Sequence, residues 1–125
     1  MISKIATEIY EKTIQLKKYN SRILLFKKHR SALEKELHHI QELTKNMHCA
    51  LKENAYSSTE HIELAFFMQE QLAECIMLLT TKEQNYRKTI SKYIWGFHNL
   101  PRAFLSSDSP ISPNEAIEYY KSYMN

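Results

Sequence analysis

Apolar residues recur at alternating steps of three and four along residues 2–51: Ile2, Ile5, Ile9, Leu16, Tyr19, Ile23, Phe26, Leu33, Leu37, Ile40, Met47 and Leu51. Lys12, Arg30 and Thr44 are the interruptions. A mean step near 3.5 residues keeps such a stripe on one side of a supercoiled helix. About seven heptads without an internal cap predict one coiled-coil helix over about residues 2–54. A second stripe follows at Ile62, Ala65, Gln69, Leu72, Ile76, Leu79, Glu83, Tyr86, Ile90, Tyr93 and Phe97. It predicts a second helix over about residues 59–98. The polar residues 54–58 between them form the one plausible turn before residue 95, and Ser57 with Glu60 has the spacing of a capping box.

Two amphipathic helices joined by a short turn lie antiparallel. Facing residue numbers then sum to about 113, which sets Leu51 against Ile62, Leu37 against Ile76 and Ile23 against Ile90. At 1.5 Å per residue the helices would run about 75 and about 60 Å, so roughly the first 15 residues overhang. Gly96 and Pro101 end the second helix, and residues 106–110 read as a small polar linker. Ser112-Pro113-Asn114-Glu115 opens a third helix over about residues 113–124, with Ser112 as its cap. Its apolar face, Ala116, Ile117, Tyr120 and Met124, can fold back on the overhang or await a partner. The predicted fold class is all-α: a long antiparallel two-helix coiled-coil hairpin (residues 1–99) with a linker and a short C-terminal helix (residues 100–125).

Several large apolar residues fall off these stripes: Leu24, Leu25, Phe66, Phe67, Met68, Met77, Leu78, Ile94 and Trp95. A two-stranded hairpin cannot bury them all. Either the seam is wider than the heptads suggest, or they form a docking stripe for a partner or a second copy. Phe66, Phe67 and Met68 are the best candidates for such contacts, followed by Leu24 and Leu25.

Charge changes the picture more than composition does. The net charge is +3 over 125 residues, but its distribution is uneven. Lys12, Lys17, Lys18, Arg22, Lys27, Lys28 and Arg30 occupy residues 12–33 with no acidic residue among them. Lys82, Arg87, Lys88, Lys92 and Arg102 face Glu83 alone in residues 82–102. The register puts these windows side by side, while residues 34–74 carry eight Glu against three Lys. Such a dipolar rod is oriented on approach to an acidic surface. The alternative is a solvated face kept for solubility, although such a face would forgo i,i+4 ion pairing over a long window. Nucleic acid is not the expected partner, because no binding motif is present and the other half is acidic.

The candidate chemistry is sparse. One Gly cannot build a phosphate loop, and no nucleophile motif is present, so the chain is not expected to be an enzyme. Neither His48 nor His61, near the hairpin tip, has a partner at i+4 spacing on its own helix and no carboxylate completes a set, so the six His read as solvated and neither metal nor cofactor is expected. Cys49 and Cys75 are out of register for a disulfide and read as ordinary small residues off the seam. Arg30 and Thr44 on the seam read as setting register or partner choice. With no apolar run of spanning length and no secretory leader, a cytoplasmic location without direct membrane insertion is expected.

The length, the heptads, the turn at residues 54–58 and the run Phe66-Phe67-Met68-Gln69-Glu70-Gln71-Leu72 resemble the FliJ/YscO/EscO group, the central-stalk proteins of flagellar and type III secretion export ATPases. The resemblance covers about residues 2–97. It implies a central stalk at the cytoplasmic face of an injectisome, whose open end sits in the pore of a hexameric export ATPase and stimulates ATP hydrolysis. It implies as further partners the export-gate protein and secretion chaperones. On that reading Lys12, Lys17, Lys18, Arg22, Lys27, Lys28, Arg30, Arg87, Lys88 and Lys92 meet acidic residues of the pore, and Phe66, Phe67 and Met68 meet the gate or a chaperone. The alternatives are a secretion chaperone or escort, and an oligomeric scaffold.

Overall fold

The computed structural model describes residues 2–105 and 111–125; the expected linker at residues 106–110 lies outside them. Five helices, α1 (Ile2–Gln15), α2 (Lys27–Glu53), α3 (Thr59–Thr81), α4 (Tyr86–Phe97) and α5 (Pro113–Met124), make the chain all-helical, with no strand among the described residues. Short 3-10 turns lie at Leu16–Lys18, Ile23–Leu25 and Pro101–Phe104.

The long first helix expected from the heptads is two helices that reverse direction. α1 stops at Gln15, residues 19–26 turn the chain, and α2 runs back beside α1. The cause is local. Asn20 Oδ1 accepts from the amides of Arg22 and Ile23, at 3.0 and 2.9 Å, an Asx turn that competes with the helical ladder. The second long helix breaks as well. Lys82 and Asn85 adopt left-handed backbone, with φ of 53° and 63°, and α4 returns along α3. The stretch Thr80-Thr81-Lys82-Glu83-Gln84-Asn85 contains no apolar residue to hold a helix on the core.

Both breaks fall at one level of the expected hairpin, so it closes on itself like a folded rule. The product is an up-down-up-down bundle in which α1 to α4 share one core. Thr13, Leu16, Leu37, Leu72, Cys75, Ile94 and Phe97 meet around a single apolar cavity of about 10 Å³, room for one water at most.

The closure accounts for part of the surplus of apolar side chains, while Leu25, Phe66, Met77 and Trp95 stay exposed. Leu24, Met68 and Ile94, all off the predicted stripe, are buried. So is Cys75, which the seam excluded. The partner of much of the off-seam surface is the chain's own other half. On α2 the stripe holds as read: Leu33, Leu37, Ile40, Thr44, Met47 and Leu51 are all buried, and Thr44 Oγ1 donates to the Ile40 carbonyl at 2.8 Å.

The α2–α3 turn falls where expected, but Ser58, not Ser57, caps α3 by accepting from the His61 amide. Glu60 does not reach back; its carboxylate accepts from Asn114 Nδ2 at 3.2 Å. α5 begins at the expected place, with Ser112 accepting from the Glu115 amide. No N-terminal overhang exists for it to cover, and it lies along α3 and α4 instead. Tyr120 is buried there, edge-on to Phe67 at 5.5 Å and donating to Gln71 Oε1 at 3.0 Å. Gly96, expected to end a helix, lies inside α4 under this seat. A Cβ there would come within 2.9 Å of the Tyr123 ring and 3.4 Å of Tyr120.

Candidate partner-binding end

The two reversals bring the loops at residues 19–26 and 82–85 to one end of the bundle. Tyr86 Oη donates to the Leu24 carbonyl at 3.4 Å, and Arg87 Nη1 to the Ser21 carbonyl at 3.1 Å. The opposite end holds Ile2, the turn at residues 54–58 and Phe104. Residues 16–30 and 82–88 together carry nine basic residues and one acidic residue, Glu83. The bundle therefore concentrates at one end the charge that a rod would spread along half its length.

The ten cations expected to meet a partner do different things. Arg22, Lys27, Lys28 and Lys88 are exposed at this end. Arg30 and Arg87 are half-buried and turn inward: Arg30 Nη1 donates to the Leu24 and Leu25 carbonyls at 2.9 and 2.7 Å, and Arg87 ties Ser21. They shape the loop rather than present charge. Lys18 pairs with Glu36 at 3.4 Å, and the Lys17 ammonium lies 4.4 Å over the Trp95 ring. Lys12 is half-buried beside Lys35, Glu36 and His39 on the bundle's side, and Lys92 is exposed in the middle of α4. Lys82 at the second reversal, counted in the basic window but not among the residues expected to meet the partner, joins the exposed set.

Placement relative to the helix dipoles separates these cations further. Lys27 and Lys28 open α2, and Arg87 and Lys88 open α4, with no acidic residue in either first turn. Cations at a helix N-terminus each cost about 0.3–1 kcal/mol at the surface. Neither helix has a side-chain N-cap: Phe26 and Asn85 stand at the cap positions without capping bonds. Local helix stability does not explain this arrangement.

Between the cations stand two large apolar side chains, Leu25 at 57% and Phe26 at 60% exposure. Phe26 was placed on the buried seam by the heptads, and its exposure follows from the reversal. The signal available for it was the Asn20-Ser21 pair just upstream, a turn dipeptide in a chain almost without Gly or Pro.

The aromatic opening of α3 does not form the expected surface. Met68 is fully buried, and Phe67 is half-buried against Tyr120 with the Lys121 ammonium 5.9 Å from its ring. Phe66 alone is exposed, near His48. The correction has two causes: the fold-back buries Met68 in the four-helix core, and α5 seats Tyr120 on Phe67.

The titrating groups with clear shifts lie in the packed body. Burial, with the Glu36 carboxylate beside it, pushes the Tyr19 phenol up to about 12. Burial also pushes the Cys75 thiol up to about 12, while Cys49 is exposed. Tyr93 is raised to about 12 by burial and by its hydrogen bond to Glu74. Among the described residues no three His, Cys, Asp or Glu side chains converge as metal ligands. No helix among them is long and apolar enough to cross a membrane. No protein family, no curated protein and no solved structure matches this chain.

Proposed function

We propose that this chain is a non-catalytic helical binding module that docks its cationic end on an acidic protein surface. In line with the sequence resemblance, the proposed partner is the hexameric export ATPase of a type III secretion apparatus, at its cytoplasmic face, with ATP hydrolysis stimulated on docking. The observation that carries this reading is the exposure of Arg22, Lys27, Lys28, Lys82 and Lys88 at one end, three of them in helix first turns where they oppose the dipole. Such an end attracts an acidic partner over a Debye length and orients the module as it approaches.

The folded-back shape changes how contact would be made. α2, the longest helix, runs only about 40 Å, so the module would engage a ring with its paired loops rather than thread it as a long rod. A single asymmetric module cannot touch all subunits of a ring alike. It would favour one state of the subunit it touches by differential binding. The escort reading keeps only Phe66 of its three residues fully at the surface, since Met68 is core and Phe67 is half-buried against Tyr120.

The test is ATP turnover by the candidate export ATPase with and without the full chain, at low and moderate salt. Stimulation that falls with salt, and that an Arg22→Glu/Lys27→Glu/Lys28→Glu variant of native helicity no longer gives, is the expected result. No stimulation and no binding, or undiminished stimulation by that variant, overturns the reading.

A further inference from the structure

In the loop at residues 19–26, Asn20, Arg22, Leu25 and Phe26 are exposed while Tyr19 and Leu24 are buried, and the backbone from residue 22 to residue 26 is paired from within the chain. The carbonyls of Asn20, Arg22 and Ile23 accept from the amides of Leu24, Leu25 and Phe26. Arg87 takes the Ser21 carbonyl; Arg30 takes those of Leu24 and Leu25, and Tyr86 adds a second bond to Leu24. The Phe26 carbonyl accepts from the amides of His29 and Arg30. The amides of Arg22 and Ile23 donate to Asn20 Oδ1. Every carbonyl from residue 20 to residue 26 thus has a partner, and so does every amide from residue 22 to residue 26.

A loop that stays in water has no need of this, because water satisfies its polar groups at no structural cost. A loop that leaves water must satisfy them itself. On this self-contained backbone the exposed side chains are apolar at the tip, Leu25 and Phe26, and cationic beside it, Arg22, Lys27 and Lys28, with Lys82 and Lys88 from the facing loop. The long basic stems can lie along an apolar layer while their heads stay at its polar edge.

We propose that this tip docks peripherally on an anionic lipid bilayer, with Leu25 and Phe26 entering the boundary between headgroups and acyl chains and the surrounding cations held by lipid phosphates and carboxylates. The tip carries an open recess lined by Asn20, Arg22, Ile23, Leu25 and Phe26, and a fluid lipid layer conforms to it without a preformed fit. Charge complementarity selects anionic lipid, and the apolar pair supplies anchoring that charge alone lacks. The inference is independent of the ATPase reading: the assay below contains no ATPase, and the turnover assay contains no lipid.

The experiment is flotation of the full chain with vesicles of phosphatidylcholine alone and of phosphatidylcholine with about 30 mole per cent phosphatidylserine, at moderate salt. Binding to the anionic vesicles at least about tenfold tighter than to the neutral ones is expected. A Leu25→Asp/Phe26→Asp variant should lose that binding. Tyr56→Asp, which removes the most exposed aromatic side chain (96%) at the opposite end, should keep it. A Phe26→Trp/Trp95→Phe chain should show a blue-shifted emission on the anionic vesicles only. Circular dichroism confirms that each variant is folded. No binding to anionic vesicles, equal binding by the double-Asp variant, or an unshifted tryptophan overturns the proposal. So does a tip needed for ATPase stimulation but not for vesicles, which would assign the tip to a protein recess.

Discussion

The two ends of the bundle are built on opposite terms. At the end near residues 54–58 the helix starts are capped, although Tyr56 itself stands exposed. Ser58 caps α3 and Ser112 caps α5; Asn114 bonds Glu60, and the Pro101–Phe104 turn packs on α1. At the other end α2 and α4 start without side-chain caps, with cations in their first turns, and two non-glycine residues hold left-handed backbone. α5 also thickens only the capped half, because it runs beside α3 from Glu60 to about Gln71. One end follows the rules of stability; the other departs from several of them within a few residues. Departures gathered at one place mark a surface kept for something other than folding.

The largest effect expected from setting the two halves against each other comes at alkaline pH. Cys75 and Tyr93 lie in the covered body near Tyr120, whose phenol is also held protonated by burial. Their folded pKa values stand above the unfolded ones, so the folded chain keeps protons that the unfolded chain has released. Stability from these groups is full below about pH 9 and falls as pH rises toward about 12. Urea midpoints should fall between pH 9 and 11, and a Cys75→Ala variant should show a shallower fall. A flat profile would mean that these groups are not buried as described. With thiol reagent at neutral pH, Cys49 should react and Cys75 should not.

Removing the anchor of the covered half comes next. Tyr120→Ala deletes a buried ring, its bond to Gln71 and its edge contact with Phe67. A loss of about 3–5 kcal/mol is expected from urea unfolding. Proteolysis should then release α5 first. Below the unfolding midpoint the cationic end should still bind anionic vesicles, because no contact of α5 reaches it; loss of both together would show that the ends are coupled.

A substitution at the bare end should move stability and binding in opposite directions. Phe26 occupies the N-cap of α2 with extended backbone, φ −93° and ψ 129°, the conformation a capping Asp adopts. Phe26→Asp gives α2 a cap and a favourable dipole partner while removing an exposed ring. A gain of about 1 kcal/mol in unfolding free energy is expected, with loss of vesicle binding. A variant that loses stability would show that the exposed Phe26 is part of the core after all.

The helical content, the α2 core face, the turn at residues 54–58 and the start of α5 were all legible, because each rests on local signals that act without the rest of the chain. Heptad spacing places Leu33 through Leu51, and Ser-Pro-x-Glu spacing places α5. The fold-back was not legible from periodicity, because the stripe continues in phase through both breaks: Leu16, Tyr19 and Ile23 satisfy the heptad whether the helix goes on or turns. What decides is the balance between one long seam and a four-helix core. The surplus apolar residues Leu24, Met68 and Ile94 tip that balance, since a two-helix rod has nowhere to bury them. The cationic cluster was legible as charge, but its division into outward Arg22, Lys27 and Lys28 and inward Arg30 and Arg87 depends on the loop. The same loop turned Phe26 from core to tip, the fold-back took Met68 into the core, and the seat of α5 half-buried Phe67.

The smallest effect separates strain from charge at the bare end. Lys82 sits at φ 53° and ψ 47° after the last turn of α3, its amide still bonded to the Leu78 carbonyl at 3.0 Å. A side chain in this conformation costs about 1–2 kcal/mol, which glycine avoids. Glycine also loses more freedom on folding, so Lys82→Gly should stabilise by only about 0.5 kcal/mol. Asn85→Gly should gain less still, because Asn tolerates left-handed backbone. If Lys82 is kept for its charge, Lys82→Gly should weaken anionic-vesicle binding a few-fold at low salt while raising the urea midpoint. Asn85→Gly should leave binding unchanged. Equal binding by both would confine the lipid-facing charge to the loop that carries Leu25 and Phe26, and would leave the strain at Lys82 as a requirement of the α3–α4 reversal alone.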